Sequence, residues 1–451
     1  MKALIKYYLA IPSLCLISYA LQASPTILFS IHGSNTVGEK LAPQCARDYL
    51  RSIKVEDVEI HTTAVTNEYM IGGTRGQGLD MEKVAIKVAA HGSSTGFKAI
   101  LSGEADIAMS SRPIKAKEVE ALQAFGDMLS QQAEHTIAID GLAILVNKTN
   151  AINALTIEQI ANVFSGELTN WQQLGGNNKP ITIYARDDKS GTWDTFKKLV
   201  FNGRYQLSET ALRFESNTEL SDQVSQNPNA IGFAGLSSVR QSKLLAISDS
   251  NTKAMKPSEF TVATEDYPLA RRLFFYMPPN VSSPWVKSFV DFCQSTRGQD
   301  IVSEVGFVSQ NIRAFTVLSS VSSPDEYYQL ASNGERLSVN FRFSKGSSRL
   351  DNKAYRDLLR LVYFLKMKEH QEKYVYLVGF SDAGGHLNRD LILSKFRALA
   401  VYGALLKEGI DIEKSLGLGS FMPVVSNSDA GVKLKNGRVE VWITNKKLAL
   451  K

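Results

Sequence analysis

The sequence predicts a large α/β unit followed by a smaller, separately folded α+β unit, and three observations carry that reading. Between residues 25 and 317 short apolar strands alternate with helical stretches, the pattern of a largely parallel sheet. Residues 318–335 (LSSVSSPDEYYQLASNGE) are polar and Ser-rich, the composition of a linker between folded units. A second strand–helix alternation follows, and 451 residues are too many for one ordinary core.

In chain order, residues 1–23 read as a secretory signal peptide. Lys2 and Lys6 precede an apolar run, and small residues surround Ala23. The run contains Pro12 and is short against the ~20 residues of a bilayer span. No small residue immediately precedes Cys15, so lipid attachment is not expected. Residues 24–317 form the first unit, with strands expected at 26–31, 105–109 and 181–185 and helices at 156–164, 192–201 and 284–294. Residues 62–83, rich in Gly and Thr (IGGTRGQG), lack either period and read as a long surface insertion. After a flexible linker reaching roughly 20–25 Å, residues 336–451 hold strands at 337–343, 374–379 and 438–444 and helices at 352–368 and 391–407. Lys407 and Gly409 give the last helix a typical C-terminal stop.

Composition narrows the class. With 44% hydrophobic and 21% charged residues the chain resembles ordinary globular proteins. Removing Lys2 and Lys6 lowers the formal charge of +6 to about +4, too little to imply nucleic acid. Export leaves Cys45 and Cys293 in an oxidising compartment, where they either form one disulfide or stay as two buried thiols. The six histidines (His32, His61, His91, His135, His370, His386) show no metal-binding spacing. Ser190-Gly191 lacks the GxSxG frame of a nucleophile elbow, and KSGT lacks that of a nucleotide loop. No metal or cofactor is implied, and the chain reads as a non-enzyme. Trp171 and Trp193 are expected in the core.

Four stretches share one design, a strand end, a Gly/Ser/Thr turn and a helix start: IHGSNTV (31–37), AHGSSTGF (90–97), MSSRP (109–113) and ARDDKSGT (185–192). Backbone N–H groups at a helix start and small side chains admit a tetrahedral anion, and Arg186 adds a permanent cation with paired donors. Each turn alone reads as a plain N-cap; the set points to an oxyanion.

These stretches, with GEADIAMSSRPI, DGLAILVN, ALTIEQIANVFSGELTNW, NPNAIGFAG, YPLARRLFFY and RGQDIVSEVGFV, resemble the phosphate-binding components of bacterial ABC transporters over residues 30–310. The resemblance implies a two-lobed type II periplasmic binding protein in which Thr36, Val37, Ser93, Ser111, Arg186, Ser190, Gly191 and Thr192 contact phosphate. It also implies an inner-membrane ABC permease as partner. Some members place an Asp after ADIA, where its carboxylate accepts a hydrogen bond from a protonated phosphate and repels fully ionised sulfate; Ser111 stands there here. A hydroxyl both donates and accepts, so weaker rejection of sulfate is expected.

In the second unit, GFSDAGGHLNRDLILSKFRALAVYGALLKEGI, GLGSFMP and NGRVEVWI resemble the OmpA-like peptidoglycan-binding domain over residues 337–445. The resemblance implies that Asp382 and Arg397 bind the amino and carboxylate groups of diaminopimelate, with Ser381 beside them and Arg438 as a weaker contact or support. Without the resemblance, Asp382 and Arg397 read as an ordinary salt bridge. Phe380-Ser381 replaces the family's usual His/Tyr-Thr, and Asp390 its usual Asn. The combined expectation is a periplasmic binding protein for phosphate or a similar oxyanion, anchored without a covalent bond to peptidoglycan. It would be associated with wall and outer membrane and serve capture, transport or sensing. The alternative is a wall-anchored structural or adhesion protein whose first unit no longer binds phosphate.

Overall fold

The computed structural model describes residues 24–450 apart from 77, 189, 319–322, 344–346, 383–384 and 427–434. The expected signal peptide and its cleavage point lie outside the described residues. In chain order the N-terminal strands are β1 (Thr26–Gly33), β2 (Glu56–Thr62), β3 (Glu68–Arg75), β4 (Glu82–Ala89), β5 (Ile107–Ser110), β6 (Glu134–Val146), β7 (Ala154–Thr156), β8 (Thr182–Arg186), β9 (Leu212–Phe214), β10 (Ala230–Gly235), β11 (Lys243–Leu244), β12 (Ala246–Ser248) and β13 (Ala270–Tyr276). Those that follow are β14 (Ala314–Phe315), β15 (Gly334–Arg342), β16 (Tyr374–Gly379), β17 (Lys414–Gly417) and β18 (Arg438–Thr444).

The first unit divides into two lobes because its apolar residues form two large cores. Ile31, Leu50, Ile86, Met109, Phe275 and Phe289 belong to the first; Ile144, Phe164, Phe196, Phe233 and Ile247 belong to the second. Ala138 and Leu273 lie in the first core, Ile139 and Ala270 in the second, so β6 and β13 are the strands on which the chain passes between lobes. Strand order is β2-β3-β4-β1-β5-β13-β6-β10-β8-β9, with β11 beside β6. β1 runs parallel to β4 and β5, and β8 to β9 and β10. β6 and β13 are antiparallel, because one carries the chain out to the second lobe and the other carries it back. The sheet is therefore mixed rather than largely parallel.

Three expectations need correction. Residues 62–83 contain β3, paired with both β2 and β4, and are not a structureless insertion. Gly72 and Gly73 hide the strand signal while permitting its close packing: a Cβ on Gly73 would lie 2.2 Å from the Glu56 carbonyl oxygen. The helix expected at 192–201 stops at Phe196 and continues as one wider turn, Lys197–Phe201. The third correction concerns the linker, where Asp325–Asn333 is a helix burying Tyr327, Leu330 and Ala331. Asp325 and Glu326 occupy its first turn, where acidic groups face the positive end of the helix dipole. Tyr327 and Leu330 pack with Tyr376, Phe380 and Trp442, so the segment is a fixed part of the second unit.

The second unit is a sheet in the order β14-β15-β18-β16-β17. Strand alternation puts Leu337, Val339, Phe341, Val439 and Val441 on one face, against Leu361, Leu365, Ala398 and Val401 of helices Asn352–Lys366 and Leu387–Lys407. The other face presents Arg336, Asn340, Arg342, Arg438 and Glu440, all buried. Covering it are the 325–333 helix and residues 264–270 of the first unit. Arg336 pairs with Asp266 at 2.8 Å, while Asn340 and Arg342 each donate to the Thr264 carbonyl at 2.8 Å. Lys435 donates to the carbonyls of Pro268 and Ala270 at 2.7 and 3.1 Å. The first lobe is met separately: Asn352 donates to the Leu129 carbonyl at 2.8 Å and to Glu134 at 3.2 Å.

Cys45 and Cys293 are buried free thiols in the first-lobe core. Burial pushes the Cys293 thiol well up, and contact with the Cys45 thiol pushes it further. Trp171 and Trp193 are buried in the second-lobe core, as expected from the sequence.

Candidate functional site

Each of the four Gly/Ser/Thr turns closes a strand, and the backbone ties the three in the first lobe together. Gly92 donates to the Gly33 carbonyl at 2.7 Å and Ser34 to the Met109 carbonyl at 3.0 Å. Gly33 has φ +138°, and a Cβ there would fall 2.1 Å from the Met109 oxygen; only glycine permits both. Thr36, Val37, Ser93 and Ser111 on these turns are buried.

The second lobe supplies Arg186 from the end of β8 and Ser190, Gly191 and Thr192 from the turn after it. Ser190 accepts from the N–H groups of Thr192 and Trp193 at 3.2 and 3.3 Å, so its hydroxyl is a helix cap in this structure. The lobes meet here. Thr36 and Thr192 hydroxyls are 3.3 Å apart, Thr195 donates to the Ser111 carbonyl at 3.3 Å, and Ser111 lies 3.4 Å from Ser93, hydroxyl to hydroxyl. Thr36, Ser93 and Ser111 of the first lobe thus face Gly191 and Thr192 of the second, whereas the Val37 side chain belongs to the first-lobe core and Arg186 and Ser190 bond within their own lobe.

Among the described residues, four buried polar atoms on these loops have no hydrogen-bond partner: the His32 Nε2, the Ser34 hydroxyl, the Arg112 Nε and the Arg186 Nη1. Arg186 is only 2% exposed, and its Nε and Nη2 donate to the carbonyls of Phe214 and Glu215. Burial pulls its guanidinium down to about 10, against a smaller upward pull from Asp187. A buried cation with an unused donor costs free energy that an anion would recover.

Three residues of the site escaped the sequence reading: Ser34, Asp140 and Arg271. Asp140 and Arg271 are cross-strand partners on β6 and β13, at the join between lobes. Arg271 bonds the Asp140 carboxylate at 2.6 and 2.9 Å and donates to the Thr192 hydroxyl at 3.2 Å, placing a second guanidinium at the site. Both residues lay within quoted motifs, DGLAILVN and YPLARRLFFY, but only strand pairing brings them together. Beside the site is a cleft of about 360 Å³ lined in part by Ser111, Asp194, Thr195 and Arg271. Arg112 pairs with Glu118 at 2.7 Å, donates to the Ser94 hydroxyl of the 90–97 loop at 2.9 Å and lies 3.5 Å from Asp194 of the second lobe.

In the second unit, Asp382 follows β16 and Arg397 lies on helix Leu387–Lys407. They pair at 2.9 and 3.4 Å. Arg397 is 1% exposed and also donates to the carbonyls of Phe380 and Ser347 at 3.2 and 3.3 Å. Gly437 is required beside them, since a Cβ there would lie 2.0 Å from the Asp382 Oδ1. Among the described residues the buried Ser381 hydroxyl has no hydrogen-bond partner. Arg438 is not aligned with this pair: its guanidinium lies 3.9 Å from the Phe380 ring centroid and pairs with Glu440 at 2.9 Å. Of the two roles expected for it, contact or support, the geometry gives support. No group of three or more His, Cys, Asp or Glu able to hold a metal exists among the described residues.

Comparison with known proteins agrees with both units. A model described as a PBP superfamily domain matches residues 63–297, and one described as the OmpA family matches residues 342–437. The protein SphX of Synechococcus elongatus is 34% identical over 247 residues, covering 52% of this chain and 72% of that protein. The phosphate-binding protein PstS of Borreliella burgdorferi is 30% identical over 226 residues, covering 49% and 77%. Among solved structures, an ABC-type phosphate transport receptor from Vibrio cholerae is 26% identical with a TM-score of 0.47, covering 62% of this chain and 99% of that one. The chain belongs to the PBP superfamily, as a two-lobed relative of the phosphate-binding protein PstS and of the protein SphX, joined to a C-terminal OmpA family domain.

Proposed function

We propose that this protein is a periplasmic binding protein that holds phosphate between its lobes while its C-terminal domain holds peptidoglycan. It is a binder and not an enzyme. The observation that supports this best is the unpartnered Nη1 of buried Arg186, on a loop that meets the Thr36 turn through Thr192. Phosphate contacts would come from Thr36, Val37, Ser93, Ser111, Arg186, Ser190, Gly191 and Thr192. Ser34 and Arg271 join them. Asp140 is already paired with Arg271, and Ser111 brings no carboxylate, so the turn after β5 holds none to repel a fully ionised sulfate. Calorimetric titration of the whole chain should give heat with phosphate and displacement by millimolar sulfate. No heat with phosphate would overturn the assignment, and complete indifference to sulfate would overturn the role given to Ser111.

At the C-terminal site the carboxylate of Asp382 would take the ammonium, and the Arg397 guanidinium the carboxylate, of a diaminopimelate stem. In the empty domain these two side chains neutralise each other, so a zwitterionic ligand would replace one ion pair by two. The unpaired Ser381 hydroxyl beside them is a ready donor. Signal-peptide export, cleavage after residue 23 and association with wall and outer membrane complete the reading. It favours local phosphate capture or sensing at the wall over a freely diffusing carrier serving an inner-membrane permease. Phosphate uptake in a deletion strain tests the last point: a plain transport defect would contradict a purely local role.

A further inference from the structure

The C-terminal domain holds both lobes at once, on either side of the two strands that join them. Its hold on the first lobe is Asn352, bonded to Leu129 and Glu134. Its hold on the second is Arg336, Asn340, Arg342 and Lys435, bonded within residues 264–270. A third contact reaches the connecting strand itself. Arg272 of β13 is fixed by Glu265 at 2.6 Å and by Asp351, at the start of helix Asn352–Lys366, at 2.8 Å. Its neighbour Arg271 points to the opposite side of the strand and donates to Thr192 in the anion site.

Lobes of a binding protein cannot separate without rotation about the strands that connect them. Here that rotation must break the contacts to Leu129 and Glu134 or those to residues 264–270. Most of the side chains that would lose partners are deeply buried, and a buried charged group that loses its partner is expensive. The docked domain therefore favours the arrangement in which the lobes meet. A site held in its binding geometry before the ligand arrives loses less free energy on closing.

The geometry points to Asp351 and Lys435 of the C-terminal domain as positioning residues of the N-terminal anion site, which bind no ligand themselves but hold β13 and the second lobe where Arg271 and Thr192 face the first. This rests on the phosphate reading above. Coupling of this kind is reciprocal, so phosphate must also tighten docking by the same factor.

The test is calorimetry and stopped-flow release of inorganic phosphate with the full chain, comparing wild type, Asp351→Asn and Lys435→Met. Asn at 351 keeps the cap on Ala354, which Asp351 bonds at 2.9 Å, because both residues cap helices well. Both variants should bind phosphate about five- to tenfold more weakly, mainly through faster release, while Arg240→Ala, which removes a surface pair with Asp222, should match wild type. Affinity and release equal to wild type in both variants would overturn the inference. Hydrogen exchange on the unmutated protein gives a second readout that needs no variant to fold: phosphate should slow exchange at residues 264–270 as well as at the anion loops. Protection confined to the anion loops would also overturn it. Absence of any phosphate heat with wild type would instead remove the phosphate reading itself.

Discussion

Replacing Arg186 by Met should weaken phosphate binding about thirtyfold while leaving the ligand-free protein about as stable as before. Burial draws the guanidinium from its ordinary value down to about 10, roughly 3 kcal/mol of unfavourable charge burial. At pH 7 folded and unfolded chains both carry this charge, so the cost is fully present there. Against it stand two hydrogen bonds, to Phe214 and Glu215, whose loss costs about 1–3 kcal/mol each. The two effects oppose each other, and the melting temperature of the ligand-free variant should move by only a few degrees. Binding has no such compensation. One charge-assisted hydrogen bond is worth about 2 kcal/mol, roughly a thirtyfold change in Kd. At a phosphate concentration one hundred times the wild-type Kd, ligand stabilisation is about 2.7 kcal/mol; in the variant it should fall to about 0.9 kcal/mol. Differential scanning calorimetry across a phosphate series measures both quantities. A variant stabilised by phosphate as strongly as wild type would show that Arg186 does not meet the anion.

Other substitutions separate the two sites and probe the interface between them. Gly191→Ala places a Cβ 2.0 Å from the Ser111 hydroxyl, where ordinary contact begins at 3.4 Å; holding the lobes apart by about 1–3 kcal/mol should cost roughly tenfold or more in phosphate affinity, with the melting temperature of the empty protein little changed. Asp382→Asn should abolish retention on purified peptidoglycan in a pull-down while phosphate heat persists; full retention would reject the Asp382/Arg397 site. Acid should loosen the domain interface. Burial works to raise the carboxyls of Glu265 and Asp266, but the arginines facing them overcome it and hold both well below the usual range. Groups so depressed stabilise the fold above their unfolded value, 4.5 for Glu265, and lose that contribution as pH falls below it. Melting temperature should be level down to about pH 5 and drop steeply below 4.5; a level profile to pH 3 would show that these carboxylates contribute nothing.

Much of this architecture is legible in the sequence wherever local signal and final environment agree. Strands β16 and β18 begin and end where their apolar runs do. The four small-residue turns were recognisable because an anion loop needs Gly, Ser and Thr whatever surrounds it. What escaped depends on distant partners. β3 was hidden because its glycines serve close strand packing, which depresses any propensity signal. In the 325–333 helix, Tyr327, Leu330 and Ala331 make a buried stripe only three residues of which are apolar, too narrow to outweigh its Ser, Asp and Gln neighbours until Trp442 is seen against it. Arg271 and Asp140 are 131 positions apart, and nothing local marks a pair that exists only through the register of β6 with β13.

Consecutive residues Arg271 and Arg272 divide their labour by the pleat of one strand. Alternation sends the first to Asp140 and Thr192 and the second to Glu265 and Asp351. A frame shift of one residue in β13 would exchange them, presenting to the anion the arginine now committed to the appended domain and the reverse. The strand works as a two-sided key whose teeth cannot be recut singly: insertions or deletions are tolerable in the loop that follows it but not between positions 264 and 276, where the strand and the docking segment before it lie. The fusion of a second domain has thus fixed the indexing of a strand in the first.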